Sequence, residues 1–157
     1  MALKFFIVLG VLHLLILTPP GQVSVDWLVG LHARTSAAVL GFLGIGTEVQ
    51  NATIVAESNA LTVIGGCSAL EIWFFLVAAI IAFPSGILSK LVGVVVALAA
   101  VQILNSVRIT SLFWMGHYSA QNFSLLHEGM WPSILNFSAI LIFGCWLAWA
   151  TRIEHRR

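Results

Sequence analysis

Charged residues are scarce in this sequence. Its 157 residues include 7 Lys or Arg and 6 Asp or Glu, so that 8% are charged, whereas an average soluble domain has about 25%. The formal net charge is only +1, which is too small for the broad basic surface that nucleic-acid binding requires. The low charge therefore excludes an ordinary water-soluble domain, and it excludes nucleic acid as a partner.

Cysteine is also rare, and Cys67 and Cys145 belong to no CxxC pair or disulfide-dense pattern. A disulfide framework is therefore not expected. A zinc motif of the His-Glu type needs a second histidine four residues after the first, and after His127 that position is occupied by Trp131. We expect neither a metal nor a cofactor.

Hydrophobic residues, by contrast, make up 60% of the chain. A helix needs about 20 mostly apolar residues to cross the roughly 30 Å of hydrocarbon in a bilayer. The first apolar stretch resembles a signal peptide, but Pro19, Pro20 and Gly21 offer no small-x-small cleavage site, so we expect an uncleaved anchor. The sequence predicts an all-α polytopic membrane protein that forms one domain over residues 1–157. Its four predicted spans are residues 2–18, 67–83, 91–114 and 134–150.

The segment of residues 19–66 separates the first two predicted spans and is the longest region with polar residues. Residues 26–46 contain apolar residues at spacings near three and four, which predicts an extracytoplasmic helix lying in the membrane interface. Residues 49–56 and 61–65 are rich in Val, Ile and Thr and favour a small β-hairpin. The apolar face predicted for the helix consists of Leu28, Leu31, Val39, Phe42 and Ile45.

The positions of Lys and Arg predict the orientation, because positive charge close to a span tends to stay in the cytoplasm. With four spans and the N-terminus inside, only Arg34 and Arg108 fall on the outer half. A fifth span at residues 26–46 would move Lys90 or the basic tail outside. We therefore expect a multi-pass protein of the plasma (inner) membrane with both termini in the cytoplasm. The residues then on the cytoplasmic side are Lys4, Lys90, Arg152, Arg156 and Arg157.

Cys67 follows two glycines and begins the second predicted span. Unpaired backbone amides and the helix dipole favour a thiolate at such a position. The alternative is that Cys67 is a small buried hydrophobic residue, which is the preferred interpretation for Cys145 among its apolar neighbours. Glu71, one helical turn after Cys67, is either a counter-charge for it or a residue that complements the helix dipole.

Asn105 and Arg108 are three residues apart in the third predicted span and therefore share one helical face. Ionisable residues at membrane depth are costly and are functional candidates by default. The alternative for Arg108 is that its side chain extends to the interface as an anchor. His127, followed by Glu128, lies in the last extracytoplasmic loop, where a histidine is usually just solvated.

In chain order, Gly65-Gly66-Cys67-Ser68, Asn105-x-x-Arg108 and His127 each lie at the outer end of a predicted span. This ordered set resembles the exosortase/archaeosortase family over about residues 35–150. The chain is similar to a short form, of the exosortase H type, because larger members carry further N-terminal spans. Family sequences commonly have a glycine after the Cys-Ser or Cys-Thr pair, where this chain has Ala69.

The resemblance implies a membrane cysteine protease and transpeptidase. Its substrates would be membrane-anchored proteins with a C-terminal sorting tail, cleaved at the surface of the lipid bilayer. Cys67 would be the nucleophile that forms a thioester, His127 the acid/base partner and Arg108 the group that stabilises charge at the scissile carbonyl. Such roles meet the needs of acyl transfer. The acceptor stays open between an amine and water.

Supporting roles fall to Ser68, Glu71 and Asn105, which lie beside these three residues in the sequence. Two other functions stay open. The first is a non-enzymatic membrane subunit or scaffold of an export system, in which Arg108 and Glu71 form a buried structural pair. The second, a proton-coupled transporter, is disfavoured because the predicted spans contain a single Glu.

Overall fold

The computed structural model describes residues 1–57, 59–65, 68–118 and 120–154, with the backbone alone at 117, 118, 120, 121 and 154. Its elements are mostly helices, with one small sheet between the second and third helices. The helices are α1 (Ala2–Ile16), α2 (Pro19–Phe42), α3 (Leu70–Ala82), α4 (Ile87–Tyr118), α5 (Ala120–Ser124), a π-helix (Leu125–Met130) and α6 (Trp131–Glu154). The strands are β1 (Glu48–Gln50), β2 (Thr53–Ala56) and β3 (Asn59–Thr62).

Within the described residues, two helical stretches are long and apolar enough to cross a membrane, Ile87–Gly116 and Asn122–Ile153. A third span exists if α1 and α2, which meet at 86°, count as one broken span. With 13 residues, α3 is about 20 Å long, which is shorter than the hydrocarbon layer of about 30 Å. The four predicted spans are therefore not confirmed, and the structure supports two or three.

The predicted span 67–83 differs from α3 mainly at its start. Ala69 has φ 54° and ψ 22°, a left-handed conformation, so the right-handed helix begins only at Leu70. At the other end, Phe83 is extended and precedes Pro84, a pairing that disfavours helix. Hydrophobicity alone shows neither boundary, and the prediction was too long for this reason.

A sharp elbow joins α1 to α2. The hydroxyl of Thr18 accepts a hydrogen bond from the Gly21 N–H at 3.3 Å and thus caps α2. Pro19 and Pro20 follow the cap in the first turn, where a missing N–H costs nothing. Position 21 also has no room for a side chain, because a Cβ on Gly21 would overlap the backbone carbonyl oxygen of Leu15.

The apolar face predicted for residues 26–46 is buried only in part: Leu28 is 4% exposed, and Ile45 packs against a buried cluster. Phe42 and Val39, from the predicted apolar face, are 95% and 40% exposed, whereas His32 and Ser36 are fully buried. The spacing predicted an apolar face but did not predict which side of α2 packs inside the protein. In a bilayer, polar side chains gain by facing another helix, and large apolar side chains are suited to lipid.

The three strands form an antiparallel sheet in the order β1-β2-β3. The first predicted strand, 49–56, is divided because Asn51 adopts φ 57°, a left-handed conformation that Asn tolerates, and Gln50 pairs with Thr53 across the turn. The predicted hairpin is therefore replaced by a three-stranded sheet. Ile54 and Val63 pack with buried residues of α2 and α4, so the sheet rests on the C-terminal part of α4.

The bundle core is built by α3, α4 and α6. Trp146 of α6 is buried, and its indole N–H donates to the Ser89 carbonyl at 3.0 Å. Gly93 makes room for this indole, since a Cβ at Gly93 would overlap it. This contact packs the C-terminal half of α6 against the N-terminal part of α4.

Candidate active site

Cys67 and Gly66 lie outside the described residues, but the chain on both sides of them is described. The Ser68 hydroxyl and the Ser68 N–H both donate to the Gly65 carbonyl, at 2.5 and 3.1 Å. These two bonds join Gly65 to Ser68, the described residues on either side of the predicted nucleophile in the sequence. Ser68 itself is fully buried.

Ala69 separates this turn from α3. Its left-handed backbone (φ 54°) is a conformation that glycine adopts without steric cost. No side chain caps the N-terminus of α3 within the described residues. In its first turn, the amides of Ile72 and Trp73 both donate to the Ala69 carbonyl at 3.1 Å.

Arg108 of α4 is 6% exposed, and its Nε has no hydrogen-bond partner among the described residues. Its side chain lines a pocket of about 460 Å³. The same pocket is lined by Gly65 and Ala69, which lie two residues before and two after Cys67. Glu71, in the first turn of α3, lines it as well but is exposed, so it does not form a buried pair with Arg108.

The N-terminal part of α6 forms another wall of this pocket through Pro132, Leu135 and Asn136. Asn136 lies within the predicted last span and was not a predicted site residue. Asn136 is exposed and lines the same pocket as Arg108, so its amide is one more group able to hydrogen-bond a peptide.

Asn105, one turn before Arg108, is fully buried, and its Nδ2 lies 3.3 Å from Nδ1 of His32. The other ring nitrogen of His32, Nε2, lies 3.1 Å from the carbonyl oxygen of Ser68. His32 thus connects α2 to both predicted site segments. Its role was not predicted from the sequence.

His32 belongs to a stripe of polar residues between α2 and α4, which we call the polar seam. Thr35 Oγ1 lies 3.3 Å from Ser106 Oγ and accepts a hydrogen bond from Gln102 Nε2 at 3.4 Å. Spacings of three and four place these residues on one face of each helix. This spacing is the signal in the sequence that identifies the seam, which consists of His32, Thr35, Gln102, Asn105 and Ser106.

His127 lies in the π-helix that precedes α6, half-buried and stacked on Phe123 with ring centroids 5.6 Å apart. Segments of π-helix are rare in proteins, and those that occur are often found at functional sites. The next residues dock onto α4: Trp131 donates to the Ser111 hydroxyl at 3.0 Å, and that hydroxyl donates to the Arg108 carbonyl at 2.8 Å.

The structure thus gathers Gly65, Ala69, Glu71 and Arg108 around one pocket, with Asn105 and Ser68 linked through His32. His127 is not among the described residues that line this pocket, but its segment is anchored to the backbone of Arg108. Cys145 is exposed on α6 and lines a separate apolar groove between α4 and α6.

A family model of the transmembrane exosortases (Exosortase_EpsH) matches residues 1–149. No curated protein and no solved structure matches the chain. The matched range includes the Gly65–Ser68 turn, α4 with Arg108 and the π-helix with His127. The chain therefore belongs to the transmembrane exosortase family.

Proposed function

We propose that this protein is a membrane cysteine protease and transpeptidase that cleaves the C-terminal sorting tails of exported proteins, with Cys67 as its nucleophile. The observation that carries the proposal is the position of Arg108. Its buried guanidinium lines the pocket formed by the residues two before and two after Cys67. A cation in this position can stabilise the negative charge that develops on a peptide carbonyl oxygen during acyl transfer.

In the proposed reaction, the Cys67 thiolate attacks the scissile carbonyl carbon and its oxygen becomes an oxyanion, which Arg108 stabilises. Collapse of this intermediate breaks the C–N bond, and the leaving amine takes a proton from His127. The product is a thioester between Cys67 and the new C-terminus of the substrate. An amine or water then attacks the thioester carbonyl and gives a proton to the neutral His127, and the C–S bond breaks to release the thiolate.

We place this site at the outer surface of the plasma (inner) membrane. From Ile87 to Arg108, α4 rises about 32 Å, close to the hydrocarbon thickness of about 30 Å. Lys90, at the other end of α4, donates to the Ile81 carbonyl at 2.8 Å and belongs in the cytoplasm by the positive-inside rule. Both termini are cytoplasmic if the short helices α1 and α3 also cross the bilayer beside α4 and α6, as in the predicted four-span arrangement. Arg108 then meets a substrate tail at the point where the span of the substrate leaves the bilayer.

The non-enzymatic alternative, a membrane subunit in which Arg108 and Glu71 form a buried pair, is disfavoured. Glu71 is exposed, and the Arg108 Nε has no partner among the described residues. A cation buried for structural reasons is expected to be fully hydrogen-bonded.

The decisive experiment replaces Cys67. Cys67→Ala and Cys67→Ser should both abolish cleavage of a cognate tail, because a Ser hydroxyl is not activated by surroundings that favour a thiolate. A cognate tail is identified in the same genome as a short motif followed by one hydrophobic span and basic residues. Cleavage is measured with each variant at equal level in the membrane.

The matched control is Cys145→Ala, which removes the other cysteine, exposed on α6, and should leave cleavage intact. Tail cleavage that persists in Cys67→Ala contradicts the proposed function. A Cys67→Ser protein with near wild-type turnover contradicts a thiolate nucleophile.

A further inference from the structure

His32 is fully buried, and both of its ring nitrogens contact residues beside the proposed catalytic groups. We propose that His32 is a positioning residue, which holds the Cys67 segment at a set distance from Arg108. This inference rests on the proposed function, because the turnover measured in its test is cleavage of a sorting tail. Its structural part, the position of the Cys67 thiol, can be measured without a substrate.

The two contacts determine which nitrogen of His32 carries the hydrogen. The Ser68 carbonyl can only accept, so Nε2 must donate to it at 3.1 Å. Nδ1 then has a lone pair, which accepts from the Nδ2 amide of Asn105 at 3.3 Å. The neutral ring satisfies both bonds at once. It keeps no nitrogen for proton transfer, so His32 orients the site and is not its acid or base.

The group that His32 would position is the segment that contains Cys67. Ser68 follows Cys67 directly, and its hydroxyl and N–H are both bound to Gly65. The carbonyl of Ser68 is thus the group through which the turn is tied to a helix. Asn105 lies one helical turn before Arg108 on α4. The ring of His32 therefore connects the Gly65–Ser68 segment to the helix that carries Arg108, and so holds the distance between that segment and the guanidinium.

The surroundings of His32 keep this link rigid. Trp73 of α3 packs beside the ring, with centroids 6.3 Å apart and planes inclined at 60°. Hydrogen bonds in a buried site are stronger than in water, because water does not compete for the same groups. Loss of the ring nitrogens should therefore loosen the turn more than loss of a solvated contact would.

The test compares His32→Phe with His32→Gln. Phe keeps a ring of similar size and loses both hydrogen bonds, so kcat for tail cleavage should fall about 10²-fold, the cost of a misplacement of about 1 Å. KM should change little, because contacts with the substrate tail remain. In Gln, the terminal amide nitrogen can occupy the place of Nε2 and donate to Ser68, so most of kcat should return.

Thr35→Val is the matched control. It removes a hydroxyl from the polar seam and breaks the bonds to Ser106 and Gln102, but Thr35 has no bond to Ser68. Its effect on thermal unfolding should be similar to that of His32→Phe, whereas kcat should stay at the wild-type value. A role in helix packing alone predicts the same kcat for both variants.

The second measurement needs no sorting tail. In a Cys145→Ala background, the rate at which iodoacetamide alkylates Cys67 reports the environment of the thiol. The rate should fall in His32→Phe, recover in His32→Gln and stay unchanged in Thr35→Val. If Cys67→Ala still cleaves tails, the proposed function fails, yet this comparison of rates still decides the positioning role.

Equal kcat and equal alkylation rates in His32→Phe and Thr35→Val overturn the positioning role while leaving Cys67 as nucleophile. If His32→Phe does not accumulate in the membrane, His32→Gln is compared with His32→Asn. The shorter Asn side chain does not reach Ser68, so similar rates for these two variants also overturn the proposal.

Discussion

Arg108 is an unusual residue for an apolar helix, because it is charged, only 6% exposed as a residue, and lines a pocket at the outer part of α4. Arg108→Lys keeps the charge but loses the planar fork of donors. Loss of an oxyanion donor typically costs about 10² to 10³ in rate. We therefore expect Arg108→Lys to decrease the rate of tail cleavage by this factor, and Arg108→Ala to be at least as slow.

The matched control for this substitution is Arg34→Lys, because Arg34 is an exposed arginine on α2. It should cleave like the wild type. Rates are compared after the amount of each variant in the membrane has been equalised. Arg108→Lys with wild-type cleavage would mean that Arg108 is only an interfacial anchor.

His127 has a different proposed role, since a proton donor affects both formation and resolution of the thioester. His127→Ala should slow both steps, and its residual activity should lose the pH dependence that comes from the acid/base group. The measurement is a pH profile of tail cleavage. His13→Ala, on α1, is the control and should keep the profile. A wild-type profile in His127→Ala would assign the acid/base role elsewhere, with His117 the next candidate.

At the scale of elements, the elbow between α1 and α2 depends on the absence of a side chain at Gly21. A Cβ on Gly21 would overlap the backbone carbonyl oxygen of Leu15, and backbone cannot move aside as a flexible side chain can. Gly21→Ala should therefore destabilise the protein by about 1 to 3 kcal/mol, the usual cost of overpacking. Thermal unfolding in detergent measures the difference.

Gly10→Ala is the matched control, because a Cβ there meets nothing within 4 Å. Alanine in place of glycine within a helix gains up to about 1 kcal/mol, so this variant should be at least as stable as the wild type. Equal unfolding midpoints for Gly10→Ala and Gly21→Ala would contradict the tight elbow.

The start of α3 depends on the left-handed backbone of Ala69. A non-glycine residue pays about 1 to 2 kcal/mol in this conformation, whereas glycine pays about 0.5 to 1 kcal/mol in chain entropy. Ala69→Gly should therefore keep both stability and cleavage, and the β-branched Ala69→Val should lose both.

The contrast for this prediction is Ala78→Gly in the interior of α3, which should lose about 1 kcal/mol. Unfolding midpoints of the three variants are compared in the same detergent. If Ala69→Gly is destabilised as much as Ala78→Gly, position 69 is not left-handed.

At the scale of the whole molecule, orientation is the property to test. With Cys145 replaced by Ala, Cys67 should react with an impermeant thiol reagent added to intact cells, because the proposed site faces outward. Lys90→Cys, in a chain without other cysteines, should react only after the membrane is opened. Protection of Cys67 in intact cells would show that the model with the N-terminus inside is wrong.

Composition and short motifs were sufficient for several conclusions about this protein. A charged fraction of 8% already indicated a membrane protein, and the ordered Cys67, Arg108 and His127 motifs indicated the family that the family match confirms. These conclusions depend on local properties, namely hydrophobicity and residue spacing. Local properties also located α4 and α6 to within several residues.

Only the tertiary structure decided which side of α2 is buried and what His32 contacts. His32 is 36 residues from Ser68 and 73 from Asn105, so no helical or strand period relates them. The packing of α2 on α4 brings them together. The short α3 likewise follows from the backbone of Ala69 and not from the apolar run around it. Hydrophobicity determined that the chain enters the membrane, but hydrogen bonds between distant residues determined how its helices meet.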